Sequence, residues 1–265
     1  MEQRQLEELK KWFYGYVKSF YGNDAYVNAN LKRKEDHTRR VCGEMRYLAN
    51  ELGLDESESN LAEAIALLHD VGRFSQFVKY RTYNDAKSTN HSLLALDELK
   101  KAKVLESLDA REREIVEKAI LWHGEKELPA DLDPELLRYA KMIRDADKVD
   151  IFYSVTNFYV DYAKNPDKVR LIEIEVEDRP GEYTQAIVEQ ILNGENIDYR
   201  DLNTWNDMKL LQLAWVYDIN FVPMLRRIKQ RRYVETILEY LPRDEQMSQV
   251  REKITRYIEE RIAKG

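Results

Sequence analysis

The sequence predicts an all-α fold, and three observations carry that expectation. Apolar residues recur three and four positions apart over most of the chain, the period of one helix face. Nine glycines and six prolines among 265 residues fall well below the usual share of about 12%, so helix breakers are scarce. The single alternating run, Leu171-Ile172-Glu173-Ile174-Glu175-Val176-Glu177, is a strand signal with no second strand to pair with.

The elements follow in order. Residues 3–21 carry Leu6, Trp12, Phe13, Tyr16, Val17 and Phe20 and form an amphipathic helix. From 29 to 53, Val41, Met45, Leu48 and Leu52 step by four, three and four along one face, and Gly53 stops the helix. Asp55, Ser57 or Ser59 caps the next one, which presents Leu61, Ile65 and Leu68 and ends at Gly72. Residues 73–90, with Thr82, Asn84, Asp85, Ser88 and Asn90, read as a loop. Helices follow at 90–105 and 109–123, and Asp133-Pro134 starts one at 134–153. Residues 164–183 hold Pro166, Pro180-Gly181 and the alternating run, a connector of undefined shape. Further helices are expected at 183–193, 204–218, 219–230, 231–241 and 244–263. The organisation expected is an N-terminal helix (1–24) packed on a helical core (25–155), with a helical extension (156–265) completing the same globule.

Composition removes several function classes. A chain 43% hydrophobic and 34% charged is neither a disordered tail nor a membrane protein. A net charge of −7 argues against a binder of duplex nucleic acid, so an anionic ligand must be neutralised locally. Cys42, the one cysteine, falls among apolar helix positions and reads as a small buried hydrophobe. The N-terminus lacks the apolar segment of a signal peptide, and no apolar run approaches the ~18 residues of a membrane span. A cytoplasmic protein without membrane partners is expected.

The four histidines, His37, His69, His91 and His123, all occupy describable places. His37 lies four residues before Val41, on an inward stripe, and His69 lies four after Ile65, with Asp70 next to it. His91 opens the stripe Ala95, Leu99 and Ala102, and His123 follows Ile120 by three. Asp145 sits three after Met142 and four before Val149, again on an apolar stripe. A buried carboxylate costs several kcal/mol unless it is paired or bound to metal. Mixed imidazole and carboxylate shells suit divalent transition metals, so one cation site would satisfy all six groups together. His37 to His69 and His91 to His123 are both separated by 32 positions, which fits either two equivalent helix pairs facing one centre or a coincidence of helix length.

These residues carry a resemblance. His37, the pair His69-Asp70 and Asp145, within HTRRV, ALLHDVGRF and IRDADKVD, resemble the HD-domain superfamily of metal-dependent phosphohydrolases over about 25–155. LLQLAWVYDINF and the rest of the chain resemble helical extensions of bacterial members. The resemblance implies an HD-type helical bundle in which His37, His69, Asp70 and Asp145 match the primary metal ligands. His91 and His123 match the additional ligands of two-metal members. Cyclic-dinucleotide phosphodiesterases of the superfamily carry a His-His pair where this chain has Trp122-His123, and Lys where it has Arg73, which counts against a cyclic-dinucleotide substrate.

The expected cofactor is one or two divalent ions (Mn, Fe, Co, Ni, Zn or Mg). A bound ion lowers the pKa of its water from 15.7 to about 7. The expected reaction is therefore hydrolysis of a small phosphate ester or anhydride, such as a nucleotide. Asp70, with two carboxylate oxygens, is suited to bridging two ions. Arg73 and Lys148 are the cations expected to meet phosphate, while Lys79 and Arg81 read as solvated. Arg40 is placed to pair with Asp147 or Asp150 behind His37, and Gln76 and Tyr83 to touch substrate. The aromatic-rich stretch 204–241 reads first as core. Two alternatives share the ligand set: a di-iron oxygenase on the same fold, and a non-catalytic binding module stabilised by metal. The apolar face of the C-terminal helix is compatible with a homodimer.

Overall fold

The computed structural model describes residues 1–166 and 176–265. Among the described residues all regular structure is helical, apart from one isolated bridge between Glu177 and Thr204. Residues 171–175 of the alternating run lie outside the described residues. The chain divides into two compact units, Met1–Asp150 and Ile151–Gly265.

The first unit contains α1 (Gln3–Lys18), α2 (Ala25–Glu51), α3 (Glu56–Leu68), α4 (Val71–Tyr80), α5 (His91–Ala102), α6 (Ala110–Trp122) and the start of α7 (Pro134–Lys164). Asp24 opens α2 by accepting from the N–H groups of Tyr26 and Val27. Gly53, at φ +67°, closes it: the N–H of Leu54 reaches Ala49 O and that of Gly53 reaches Asn50 O. Asp55 and Glu58 form the capping box of α3. Asn90 caps α5, Asp109 caps α6, and Asp133 accepts from the N–H of Leu136 in α7. Helix α3 packs on α1, α2 and α6, and α4 packs on α2 and α5. Leu31, Val41, Met45, Leu48, Ile65 and Leu68 are fully buried in this core, as are Phe74 and Phe77. Cys42 is buried with them, and burial pushes its thiol up to about 12.

The stretch 73–90 is not a continuous loop. Its first part is α4, because Val71, Phe74 and Phe77 lie three apart and bury one face. Gly72, expected to end a helix, lies inside α4. A Cβ there would fall 2.3 Å from the backbone oxygen of His91 and 2.6 Å from the backbone nitrogen of Ala95. Glycine is needed because α4 and α5 cross in backbone contact.

The second unit holds the remainder of α7, α8 (Gln185–Asn193), α9 (Trp205–Ala214), α10 (Val222–Gln230), α11 (Tyr233–Glu239) and α12 (Glu245–Lys264). The expected helix 204–218 is α-helical to Ala214 and a 3-10 turn over Trp215–Asp218. Helix α7 runs past 153 to Lys164 because Phe152, Thr156 and Tyr159 are buried at helical spacing. Phe152 meets Trp215 edge-on, and the Tyr159 hydroxyl donates to Gln212 at 2.7 Å. Helix α8 packs on α9 and α12, and α10 on α11 and α12. No helix among the described residues is long and apolar enough to cross a membrane.

Candidate metal centre

All the residues of this centre belong to the first unit. His37 lies within α2, and His69 is the residue that closes α3, with its N–H on Ile65 O. Asp70 stands at the junction of α3 and α4. His91 is the first residue of α5, and His123 closes α6. Asp147 comes from α7. Ligand atoms of these six residues fall into three groups, each within 4.8 Å: His37–His69–Asp70, His69–His123–Asp147 and Asp70–His91–His123.

Every imidazole is fixed through Nδ1. His37 Nδ1 lies 2.7 Å from an Asp150 oxygen, and His91 Nδ1 lies 2.6 Å from Asp85. His69 Nδ1 lies 2.7 Å from Ala66 O, and His123 Nδ1 lies 2.7 Å from Ile120 O. Each partner only accepts, so each Nδ1 carries the proton and each Nε2 is turned to the centre. Nε2 of His69 is buried without a hydrogen-bond partner, and Nε2 of His37 faces Asp147 Oδ1 at 3.2 Å and Asp70 Oδ2 at 3.4 Å. Nε2 of His91 and Nε2 of His123 lie 3.0 Å apart. In neutral rings those two atoms present lone pairs to each other, which is unfavourable unless a cation lies between them. An orphaned ring nitrogen, facing lone pairs and two acceptor-only carboxylates together fit a divalent cation.

Electrostatics agree with the packing. Burial lowers the pKa of His91 and His123 to about 4, and that of His69 falls for the same reason, so these rings are neutral ligands at pH 7. His37 is the exception. Burial and Lys34 oppose its charge, yet Asp147, Asp150 and Asp70 raise its pKa to about 10. Cation binding there must displace a proton. Despite burial, Asp70 is held well below the carboxylate range by Lys34 and the surrounding histidines. Asp147 is lowered against burial by His37 and His69.

One ligand differs from expectation. Asp145 is buried on its apolar stripe as its spacing predicts, but the carboxylate in the donor groups is that of Asp147. Two residues along an α-helix turn the side chain by about 200°, so the two cannot face the same centre. The available signal was the spacing of Asp147 and Asp150 by three, which puts both on the face toward His37. Arg40 pairs with Asp150 as expected, Nε to Oδ1 at 2.6 Å and Nη2 to Oδ2 at 3.0 Å.

The remaining side chains expected at the site are distributed as follows. Arg73 Nη1 has Gln76 Oε1, Tyr83 O and Asp85 Oδ1 all within hydrogen-bond distance, so its two N–H groups are committed to the protein. Gln76 is fully buried, and Tyr83 is buried with its hydroxyl on Asn30 O. Lys148 is half-buried beside Asp147. Arg81 pairs with Asp24, and Lys79 lies over the Tyr80 ring. Two cations were not foreseen. Lys34 places Nζ 2.8 Å from Asp70 Oδ2, one turn before His37. Arg144, buried, donates to the backbone oxygens of Trp122, His123, Glu125 and Lys126, which fixes the end of α6 that carries His123.

A family model described as HD domain matches residues 35–151. No curated protein and no solved structure matches the chain.

Proposed function

This chain belongs to the HD-domain superfamily through residues 35–151, and on that premise we propose that it is a phosphohydrolase acting on a small phosphate ester or anhydride. The observation that carries the reading is the convergence of four Nδ1-anchored histidines on Asp70 and Asp147 in a buried cluster. A divalent ion in this shell supplies, when bound, a water acidic enough to act as nucleophile near pH 7.

The chain's own groups do the rest. Asp70 belongs to two donor groups, one with His37 and His69 and one with His91 and His123, so its two oxygens would serve either group when metal is bound. The hydrogen bonds to Nδ1 keep His69, His91 and His123 in the tautomer that offers Nε2. Lys148, next in sequence to Asp147, is our candidate for the cation that meets the phosphate, and Lys34 is a second.

The test is a panel of phosphomonoesters, phosphodiesters and nucleotides assayed with each of Mn, Fe, Co, Ni, Zn and Mg, beside His69→Ala and Asp70→Asn. Metal-dependent phosphate release by the wild type, lost in both variants, is expected. Equal release by wild type and variants would overturn the reading, as would oxygen uptake without phosphate release.

A further inference from the structure

Asp85 lies outside the donor groups, on the short 3-10 turn Asp85–Lys87 between α4 and α5. Its carboxylate is held at both oxygens. Oδ1 accepts from Arg73 Nη1 at 2.7 Å and from Gln76 Nε2 at 2.8 Å. Oδ2 accepts from His91 Nδ1 at 2.6 Å and lies 3.3 Å from the His91 backbone N–H. Four donors face its two oxygens, which commits this carboxylate to the protein. Capping α5 does not explain it, because Asn90 already accepts from Leu93 there.

Arg73 and Gln76 are themselves tied in place. Arg73 Nη1 also lies 2.5 Å from Tyr83 O, and Gln76 Nε2 also lies 2.9 Å from Ser88 Oγ and from Thr89 O. The clamp therefore ties α4 to the whole segment between α4 and α5. His91 is confined from two further sides: Gly72 meets its backbone, and a Cβ on Gly124 would stand 3.1 Å from its Cε1. By contrast, the carboxylate behind His37 is Asp150, carried by a long helix and held by Arg40. One histidine thus leans on a helix, the other on a turn.

We propose that Asp85, clamped by Arg73 and Gln76, is the positioning residue that aims His91, so that it sets the affinity of the Asp70–His91–His123 metal position without touching the other. The proposal rests on the metal-centre reading above, and it gives Arg73 a supporting task in place of direct phosphate binding.

The experiment titrates the metal-free full-length chain with Co2+, following heat and the visible ligand-field spectrum. Wild type is expected to take up two ions. Asp85→Ala should weaken one of them about 10–100-fold, the usual effect of losing the partner behind a ligating histidine, and keep the other at wild-type affinity with its spectrum intact. His91→Ala should show the same selective loss. Asp85→Asn keeps the side-chain volume and one acceptor, so it should fold like wild type and weaken the same ion less. Arg73→Lys should act on that ion in the same direction. Asp150→Asn should shift the opposite ion. Retention of both ions at wild-type affinity in Asp85→Ala would overturn the proposal, as would equal loss of both ions with an unchanged thermal melt. If wild type takes up no Co2+, or His69→Ala binds like wild type, the metal reading itself fails, a pattern distinct from either.

Discussion

His69 and His123 close two different helices in the same way. In each, Nδ1 lies 2.7 Å from a carbonyl oxygen three residues back, on Ala66 and Ile120, and the rings meet edge-on with centroids 5.1 Å apart. The other two histidines also match each other, since His37 and His91 both lean on a carboxylate. A helix terminus supplies an unpaired carbonyl without further cost, so the last turn can fix a tautomer and a ring orientation using only local sequence.

Replacing either terminal histidine removes a donor that no neighbour can supply. His123→Ala should abolish the Asp70–His91–His123 position, and His69→Ala the His37–His69–Asp70 position. Metal content by elemental analysis after dialysis checks this, and full stoichiometry in His69→Ala would contradict it.

Asp147 and Asp145 should separate cleanly. Asp147→Asn is expected to cut metal affinity by at least the ~10–100-fold that losing a partner behind a ligand costs, and to lower the pKa of His37, whose charge Asp147 supports. Asp145→Asn, at a fully buried position, should lower the melting temperature and spare metal affinity. Calorimetric titration and thermal melts of the two variants give the answer. The reverse pattern would return Asp145 to the centre.

Acid should weaken the metal-free fold in a defined window. His91 and His123 have pKa values of about 4 when folded against about 6.5 when unfolded. The unfolded chain therefore binds more protons between pH 4 and 6.5, and stability rises with pH across that range. His37 runs the other way. Its pKa of about 10 gives stability that is fully present below pH 6.5 and lost as pH rises through 10. The chain in chelator should be most stable near neutrality. Urea unfolding at pH 4.5, 7 and 10 checks this, and equal midpoints at 4.5 and 7 would refute it.

Gly72→Ala should cost at least about 3 kcal/mol, the upper end of overpacking penalties, since the added carbon meets backbone at 2.3 Å rather than a movable side chain. Gly43, with open space around it, should accept alanine without loss. Denaturant midpoints of the two variants decide, and equal stability would mean that the α4–α5 crossing can relax.

Much of the fold was legible because it is written locally. Caps such as Asp55 and Asp109 and the Gly53 terminator act within one turn, and apolar spacing locates α2, α3 and α6. Five of the six grouped donors were also legible, since His37, His69, Asp70, His91 and His123 sit at helix ends or on inward stripes. Asp147 was legible only through its spacing of three from Asp150, a weaker signal than the apolar stripe that holds Asp145. Helix α4 was hidden because Gly72 serves a contact with a segment not yet formed when the sequence is read. Lys34, Asp85 and Arg144 escaped for a related reason: a charged side chain has the same local signature whether it is solvated or holds a partner from another helix.

The crossing of α4 over α5 at Gly72 has a consequence for how this architecture varies. With no side chain between the two backbones, their spacing is set by atoms common to every residue and not by a choice among amino acids. The Asp70 end of one helix and the His91 end of the other are therefore held by a mechanical stop. Substitutions elsewhere in the core can reshape its packing, while the gauge between these two donors stays constant.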